Sequence, residues 1–405
     1  MPTTTPASSP PSYQLTSEIR RYSYNTLDRI ASGQCPYFAL DRAKLPPLAR
    51  GIVQLAEAQF GSVPAVPLHS QWVNYSANNV DRISALEEKM AAHGLSLRDM
   101  AAAKADLLIV NEALDHGGLT KWVYKDTSTG STLSRTEGLG TAVLRSFEAG
   151  LFSQRGASNP FRVDFARLRT ITDAELADAF QVSDANPIDG GISLWRERLL
   201  ALCACPEFEA RGRSGRPSAI VDRLFTLADA GQVVTAQDVL SAVLDFLSPV
   251  WSGNSADRGL RGDVWHLPEV SANLPIHRMA QWVAHSLIPV VEASGFAINN
   301  DQPLSGLAGY RNAGVLVDAG VLVERTPDGK VYDLGDPKIV TWRSATVALL
   351  TELQTAIQEA AACRVEDIPL PRVHGLAWRM GRQLAGAARA GGGPPIVVTS
   401  DTVPF

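Results

Sequence analysis

The stretch from Ile339 to Ile357, IVTWRSATVALLTELQTAI, decides the fold class of this chain. Within it Ile339, Trp342, Ala345, Leu349, Leu350, Leu353 and Ile357 recur at spacings close to three and four, so they line one face of an α-helix. The same signal repeats on either side. Residues 45–60 open with Pro46-Pro47 and continue with Leu, Ile, Val and Leu at helical spacing. Residues 80–93 and 95–116 follow, closed by Gly94 and by Gly117-Gly118, as glycines close helices. Further helices are predicted over 137–152, 173–180, 194–202, 219–230, 236–247, 274–293 and 373–388. Strand signals are few: 121–125, with a partner beyond the Thr127–Gly130 turn, and Ile396–Val398 after a Gly-Pro break. There is no repeat and no alternation of strand and helix. The expected fold is mainly α with a few short strands, in a single large unit. Residues 1–13, rich in Thr, Ser and Pro, read as a disordered tail ahead of one mostly helical domain over 14–405. Residues 252–263 are the best candidate for a boundary or functional loop.

Composition narrows the function classes. With 405 residues, 45% of them hydrophobic, the chain can bury a large core without disulfides. A net charge of −5 argues against a nucleic-acid partner, which calls for a basic footprint. Four scattered cysteines, with Cys203 and Cys205 forming a lone CxC, do not make a zinc site. The N-terminus lacks a signal-peptide pattern. The longest apolar run, near 282–298, is broken by His285 and Glu292, so no membrane span is expected. A soluble, cytoplasmic protein is the reading. Gly138 and Gly140 lack the third glycine of a dinucleotide fingerprint, and Walker A, HExxH and GxSxG motifs are absent. His277 and His285, eight apart, have no third ligand nearby. No metal and no cofactor are indicated.

Five stretches carry more polar, aromatic and glycine residues than a core needs. The first runs from His69 through Trp72 to Asn79, Asp81 and Arg82, where donors beside aromatic rings suit a polar small molecule or simply cap a helix. The second, Arg135 to Gly138, places Glu137 in a first helical turn, where an acid also serves the dipole. The third, Phe180 to Pro187, is a helix end and a turn. The fourth, Gly262 to His266, offers Asp263, Trp265 and His266 for acid–base chemistry and stacking. The fifth runs from Leu304 to Asp318. Its Gly306 and Gly309 permit close backbone approach, Tyr310 and Arg311 follow, and Asp318 lies two helical turns beyond Arg311.

Read together, these stretches resemble a known family. They are Pro67 to Trp72 with Val80 to Arg82, Glu137 to Leu139 with Phe147 to Ser153, Phe180 to Ser183 with Asn186-Pro187, and Gly262 to Trp265. His277 to Trp282 with Ser286-Leu287, Gly306-Leu307 with Tyr310 to Asn312 and Val317-Asp318, Trp342-Arg343, and Gly392 to Ile396 with Ser400-Asp401 complete the set. The resemblance is to the uncharacterised-domain family of the fourth protein of uracil catabolism, and it runs from about Tyr24 to Phe405. That family is distantly similar to the all-helical queuosine-monophosphate glycosidases, which implies a helix-hairpin-helix glycosylase-like fold. It also implies a functional link to a ring-opening enzyme of the GTP cyclohydrolase II type. Two departures remove charge. Gln71 and Val73 stand where relatives commonly carry basic residues, and Gly309 stands where they tend to carry an acid.

The implied reaction is hydrolysis of an N-glycosidic bond in a nucleoside-like or sugar-phosphate substrate, such as a ribosylurea or its 5-phosphate. An amidohydrolase or deaminase acting on the opened ureido group, and a non-catalytic binding protein, are the alternatives. Cleavage of an N-riboside needs a carboxylate beside an oxocarbenium-like state and an acid for the leaving nitrogen. Asp318 or Asp263 suits the carboxylate role, and His69 or His266 suits the acid. Arg311 and Arg82 suit a sugar phosphate, Trp72 and Trp265 suit the walls, and Asp81, Glu137 and Tyr310 complete the expected substrate contacts.

Overall fold

The computed structural model describes residues 11–115, 119, 121–210, 215–251, 260–301 and 303–399. Most of the expected tail, most of the 252–263 loop, and Ser400-Asp401 lie outside these residues. Among the described residues there are fifteen helices. They are α1 Thr16–Ala31, α2 Leu45–Phe60, α3 Arg82–Ala92, α4 Leu97–Leu114, α5 Arg135–Glu148, α6 Phe165–Leu168, α7 Asp173–Ala179 and α8 Ile192–Cys203. They continue as α9 Glu207–Ala210, α10 Ala219–Asp229, α11 Ala236–Leu247, α12 Arg278–Glu292, α13 Tyr310–Asp318, α14 Pro337–Ala361 and α15 Leu370–Ala388. The strands form only two-stranded pairs. β1 Phe38–Leu40 runs antiparallel to β6 Leu322–Glu324, and β7 Val331–Asp333 runs parallel to β8 Val397–Thr399. β2 Val123–Asp126 with β3 Ser131–Ser134, and β4 Val264–Leu267 with β5 Ala272–Pro275, are hairpins. The fold class is therefore mainly α with a few short strands.

Local chemistry sets the helix ends. Asp81 caps α3 and Ser96 caps α4 through their side chains. Thr172 with Glu175, and Thr235 with Asp238, form reciprocal capping boxes for α7 and α11. Gly61, at φ 80°, closes α2 in the left-handed region that a side chain resists. One expectation needs correction. Residues 274–275 do not begin α12; they pair in β5, and the helix starts at Arg278 after His277 turns the chain at φ 48°. The sequence reading also omitted α1, whose mostly polar composition hides a narrow buried stripe of Ile19, Leu27 and Ile30.

Two helices are buried on nearly every side. In α4 every residue from Ala101 to Leu114 is buried, and in α14 every residue from Lys338 to Leu350. α1, α2, α13 and α15 pack on α14, while α5, α8, α10 and α12 pack on α4. One continuous apolar core runs from Ile19 to Ile396. Ser12–Gln14 forms a short 3-10 turn, and the Tyr13 carbonyl accepts a hydrogen bond from His277 Nε2 at 2.7 Å. No described helix is long and apolar enough to cross a membrane.

Buried ion pairs pin this packing. Arg82 and Asp126 have side chains only 1% exposed and meet at 3.1 Å. Arg145 also reaches Asp126, at 3.0 and 3.1 Å, and Ser128 and Thr129 donate to it. Burial pushes the Asp126 carboxyl up, but these bonds outweigh it and hold the group well below the usual range. Asp126→Asn leaves Arg82 buried without its anion, which should cost about 3–5 kcal/mol in urea denaturation at neutral pH. A depressed carboxyl stabilises the fold above its unfolded value of about 4, and the benefit fades as pH falls below it. The difference between wild type and variant should therefore shrink on acidification. A difference that is small, or independent of pH, contradicts this account.

Candidate functional site

The site is built on α12. Its first turn is held by Asp263, whose Oδ2 accepts the Arg278 backbone N–H at 3.1 Å. Arg343 clamps the same carboxylate at 2.9 and 2.5 Å, and the Trp265 indole donates to it at 2.5 Å. Gly262 is required beside this turn, because a Cβ there would lie 2.7 Å from His277 Nδ1. So anchored, α12 presents Arg278, Trp282, His285 and Ser286 on one face, since they sit at i, i+4, i+7 and i+8.

Ser286 receives the loop that follows His69. Its hydroxyl accepts the Gln71 backbone N–H at 3.0 Å, and its carbonyl accepts the Trp72 indole N–H at 2.8 Å. At the loop's far end Arg82 donates to the carbonyls of Ala77 and Tyr75, at 2.9 and 3.3 Å. α5 approaches from outside at Gly140, where a Cβ would stand 3.2 Å from Asn74. Clamped this way, the loop buries Gln71 and Tyr75 against α4.

There they meet Glu112. The Gln71 side-chain amide donates to its Oε2, while Oε1 has no hydrogen-bond partner. Burial is the main force on this carboxyl, and the nearby charge of Asp115 adds to it. Arg278, the Gln71 bond and Arg198 oppose these effects only in part, so Glu112 is pushed up to about 8. It is a protonated acid at neutral pH.

Three imidazoles line the neighbouring wall. The His69 ring lies 4.7 Å from Trp282 and 6.3 Å from Trp378. His285 and His374 cross edge to face at 5.5 Å. His374 Nε2 accepts the Leu307 backbone N–H at 3.1 Å, so the proton is on Nδ1, which has no partner; neither does His285 Nε2. Burial lowers all three, His69 to about 3 and His285 to about 4. All are therefore neutral at pH 7, and burial with the nearby Arg278 charge leaves His69 little tendency to take up a proton. No group of three or more His, Cys, Asp or Glu among the described residues has metal-binding geometry.

The remaining sequence candidates are dispersed. Asp263 and Trp265 serve the base of α12, and the Trp265 ring covers Gly335. His266 is exposed on its hairpin, 3.2 Å from Asn273. Asp318 is held bidentately by Arg389 at 2.7 Å. Arg311 crosses the Tyr310 ring at 4.9 Å and donates to the Gly392 carbonyl at 2.7 Å. Asp81 caps α3, and Arg82 is committed to Asp126 and the loop. Glu137 is exposed in the first turn of α5 and interacts with Arg379, one of the charges acting on His69. Of these candidates, His69 and Trp72 lie within two residues of Gln71, which bonds Glu112.

Sequence reading passed over Glu112, Arg278, His285 and His374 as site residues, and noted Tyr75 only as an aromatic of the His69–Arg82 stretch. One signal was available: Lys104, Asp106, Asn111 and Glu112 interrupt an otherwise apolar run from Ala101 to Leu114.

A carboxyl raised above its unfolded value of about 4.3 adds stability below that value and loses it as pH climbs through 8. Glu112→Gln stays neutral throughout. Melting temperatures measured from pH 5 to 8.5 should show the variant gaining on wild type as pH rises. A gap that does not change with pH would mean that Glu112 is ionised in the folded protein.

Comparison with known proteins agrees with the sequence resemblance. The chain is 32% identical to "Protein urg3" of Schizosaccharomyces pombe, across 96% of this chain and 97% of that protein. It is 27% identical to "Uracil catabolism protein 4" of Lachancea kluyveri, with the same coverage of both chains. Residues 13–405 match the family described as "Protein of unknown function (DUF1688)". This chain belongs to the DUF1688 family.

Proposed function

We propose that this protein acts in uracil degradation, hydrolysing the N-glycosidic bond of a pyrimidine-derived riboside of the ribosylurea type, with or without a 5-phosphate. The name of the Lachancea kluyveri relative supports the pathway. The observation that carries the reaction is Glu112, a buried carboxyl raised to about 8 with one oxygen on Gln71 and the other unpartnered.

Such a group is an acid at the pH where the protein works. Its proton passes to the departing ureido group as the C1′–N bond breaks. The carboxylate left behind faces the cationic sugar, and burial strengthens that attraction. Trp282, Trp378 and the neutral His69 add aromatic faces that favour a cation. Water then adds to C1′ and gives up a proton, which restores the acid. The products are urea and the free sugar.

The test is incubation with ribosylurea, ribosylurea 5-phosphate, uridine and uridine monophosphate, with urea, uracil, ammonia and reducing sugar assayed in parallel. Urea and reducing sugar should appear in equal amounts. Glu112→Gln should lower kcat by about 10²–10⁴-fold. The wild-type rate should fall as pH rises through about 8, where Glu112 loses its proton. Ammonia without free sugar would move the reaction to the ureido group and overturn the reading.

A further inference from the structure

The first described segment of the chain is tied to the base of α12. Ser12–Gln14 forms a 3-10 turn leading into α1, and Gln14 and Thr16 are 2% and 0% exposed. Two side chains hold this segment. On α11, Gln237 accepts the Thr16 backbone N–H at 2.8 Å and donates to the Gln14 carbonyl at 3.1 Å. It also donates to Ser241 of its own helix. His277 is the second holder, buried and with both ring nitrogens engaged. Its Nδ1 accepts the Asp263 backbone N–H at 3.3 Å, so Nε2 carries the proton and donates to the Tyr13 carbonyl at 2.7 Å. The His277 backbone N–H returns to the Asp263 carbonyl at 3.2 Å, and its own carbonyl accepts the Gln281 N–H of α12 at 2.9 Å.

We propose that residues 12–16 are a strap that positions the Glu112 region, acting through His277 on the Asp263 anchor of α12. His277 is the positioning residue. It sits at φ 48°, in the left-handed region that a side chain resists, so this conformation persists only where the surroundings impose it. Ring bonds on both sides impose it. A planar imidazole cannot move one nitrogen without the other. Losing the Tyr13 carbonyl therefore leaves a buried N–H unpaired and draws Nδ1 away from Asp263 as the ring seeks a new partner. Gly262 packs closely on that side, where a Cβ would lie 2.7 Å from Nδ1. Asp263 in turn fixes the Arg278 backbone, and α12 carries Ser286 to Gln71 and Gln71 to Glu112. The strap's part in catalysis rests on the glycosidase reading, whereas its coupling to α12 does not.

Full-length variants test this without substrate, by hydrogen–deuterium exchange. Gln237→Ala frees the strap from α11, and Gln237 itself bonds neither His277 nor Asp263. Exchange should rise at least about five-fold in residues 12–16 and also in 262–281, where the Asp263, Arg278 and Gln281 amides report on the base of α12. His277→Asn keeps an acceptor near the place of Nδ1, tolerates the left-handed conformation and is too short to reach Tyr13. It should loosen the same two segments. Adding Gln237→Ala should then leave 262–281 unchanged, because the route between them is already cut. Faster exchange confined to 12–16 in Gln237→Ala overturns the proposal, as does a full second increase at 262–281 in the double variant. Activity supplies another readout. Gln237→Ala should lower kcat about ten-fold with KM within about two-fold, since the substrate contacts remain and only their alignment is lost. The two readings fail separately. Coupled exchange without urea release keeps the strap and removes the glycosidase role, while urea release without coupled exchange removes the strap alone.

Discussion

The clamp of Arg343 on Asp263 is the interaction on which the site depends. It joins the buried centre of α14 to the start of α12, and its second oxygen fixes the first backbone N–H of that helix. A paired, multiply bonded carboxylate in the interior is costly to assemble and more costly to break, so it makes a rigid reference point. From it follow the direction of α12 and the placement of Arg278, Trp282, His285 and Ser286. Ser286 in turn places Gln71, and Gln71 meets Glu112. Asp263 thus acts on the Glu112 cluster at a distance, through the helix that it anchors.

The second organising feature is low polarity around groups that would be charged in water. Burial keeps Glu112 protonated at neutral pH, against its ordinary state, and keeps three histidines neutral even in mild acid. Arg278 is drawn down by the same burial, which the charges of Asp115 and Asp263 oppose. The region gives up stability to hold this state, since unpartnered polar atoms remain on Gln71, Tyr75, Glu112, His285 and His374. Other buried groups are more fully engaged: Asp106 accepts from Arg216 and from the backbone N–H groups of Ser218 and Val163, and Gln281 ties Ser305 and Ile276 to α12.

The helices were legible because their apolar periodicity, capping residues and closing glycines are local. α11 begins and ends where residues 236–247 say it should, and α2 runs from Leu45 to Phe60 as its spacing indicates. The start of α12 was not legible. Leu274 to Ile276 is apolar enough to extend a helix, and pairing with β4 is what draws residues 272–275 into a strand. Among the site candidates, His69 and Trp72 were found because a polar–aromatic loop is conspicuous. Asp318 attracted notice for the same reason and is held by Arg389, which lies seventy-one residues later in the sequence.

By itself, then, the sequence determined the fold class, most helix boundaries and the family to which the chain belongs, since each is recorded in local spacing or in ordered motifs. Only the tertiary structure decided which carboxyl is held protonated. A carboxyl's proton affinity depends on the dielectric and charges around it, and apart from Asp115 those come from Gln71, Arg198 and Arg278, which are remote in the chain. Glu112 looks unremarkable inside an apolar helix until folding brings Gln71 of the Ser286-bound loop onto one of its oxygens and leaves the other buried without a partner.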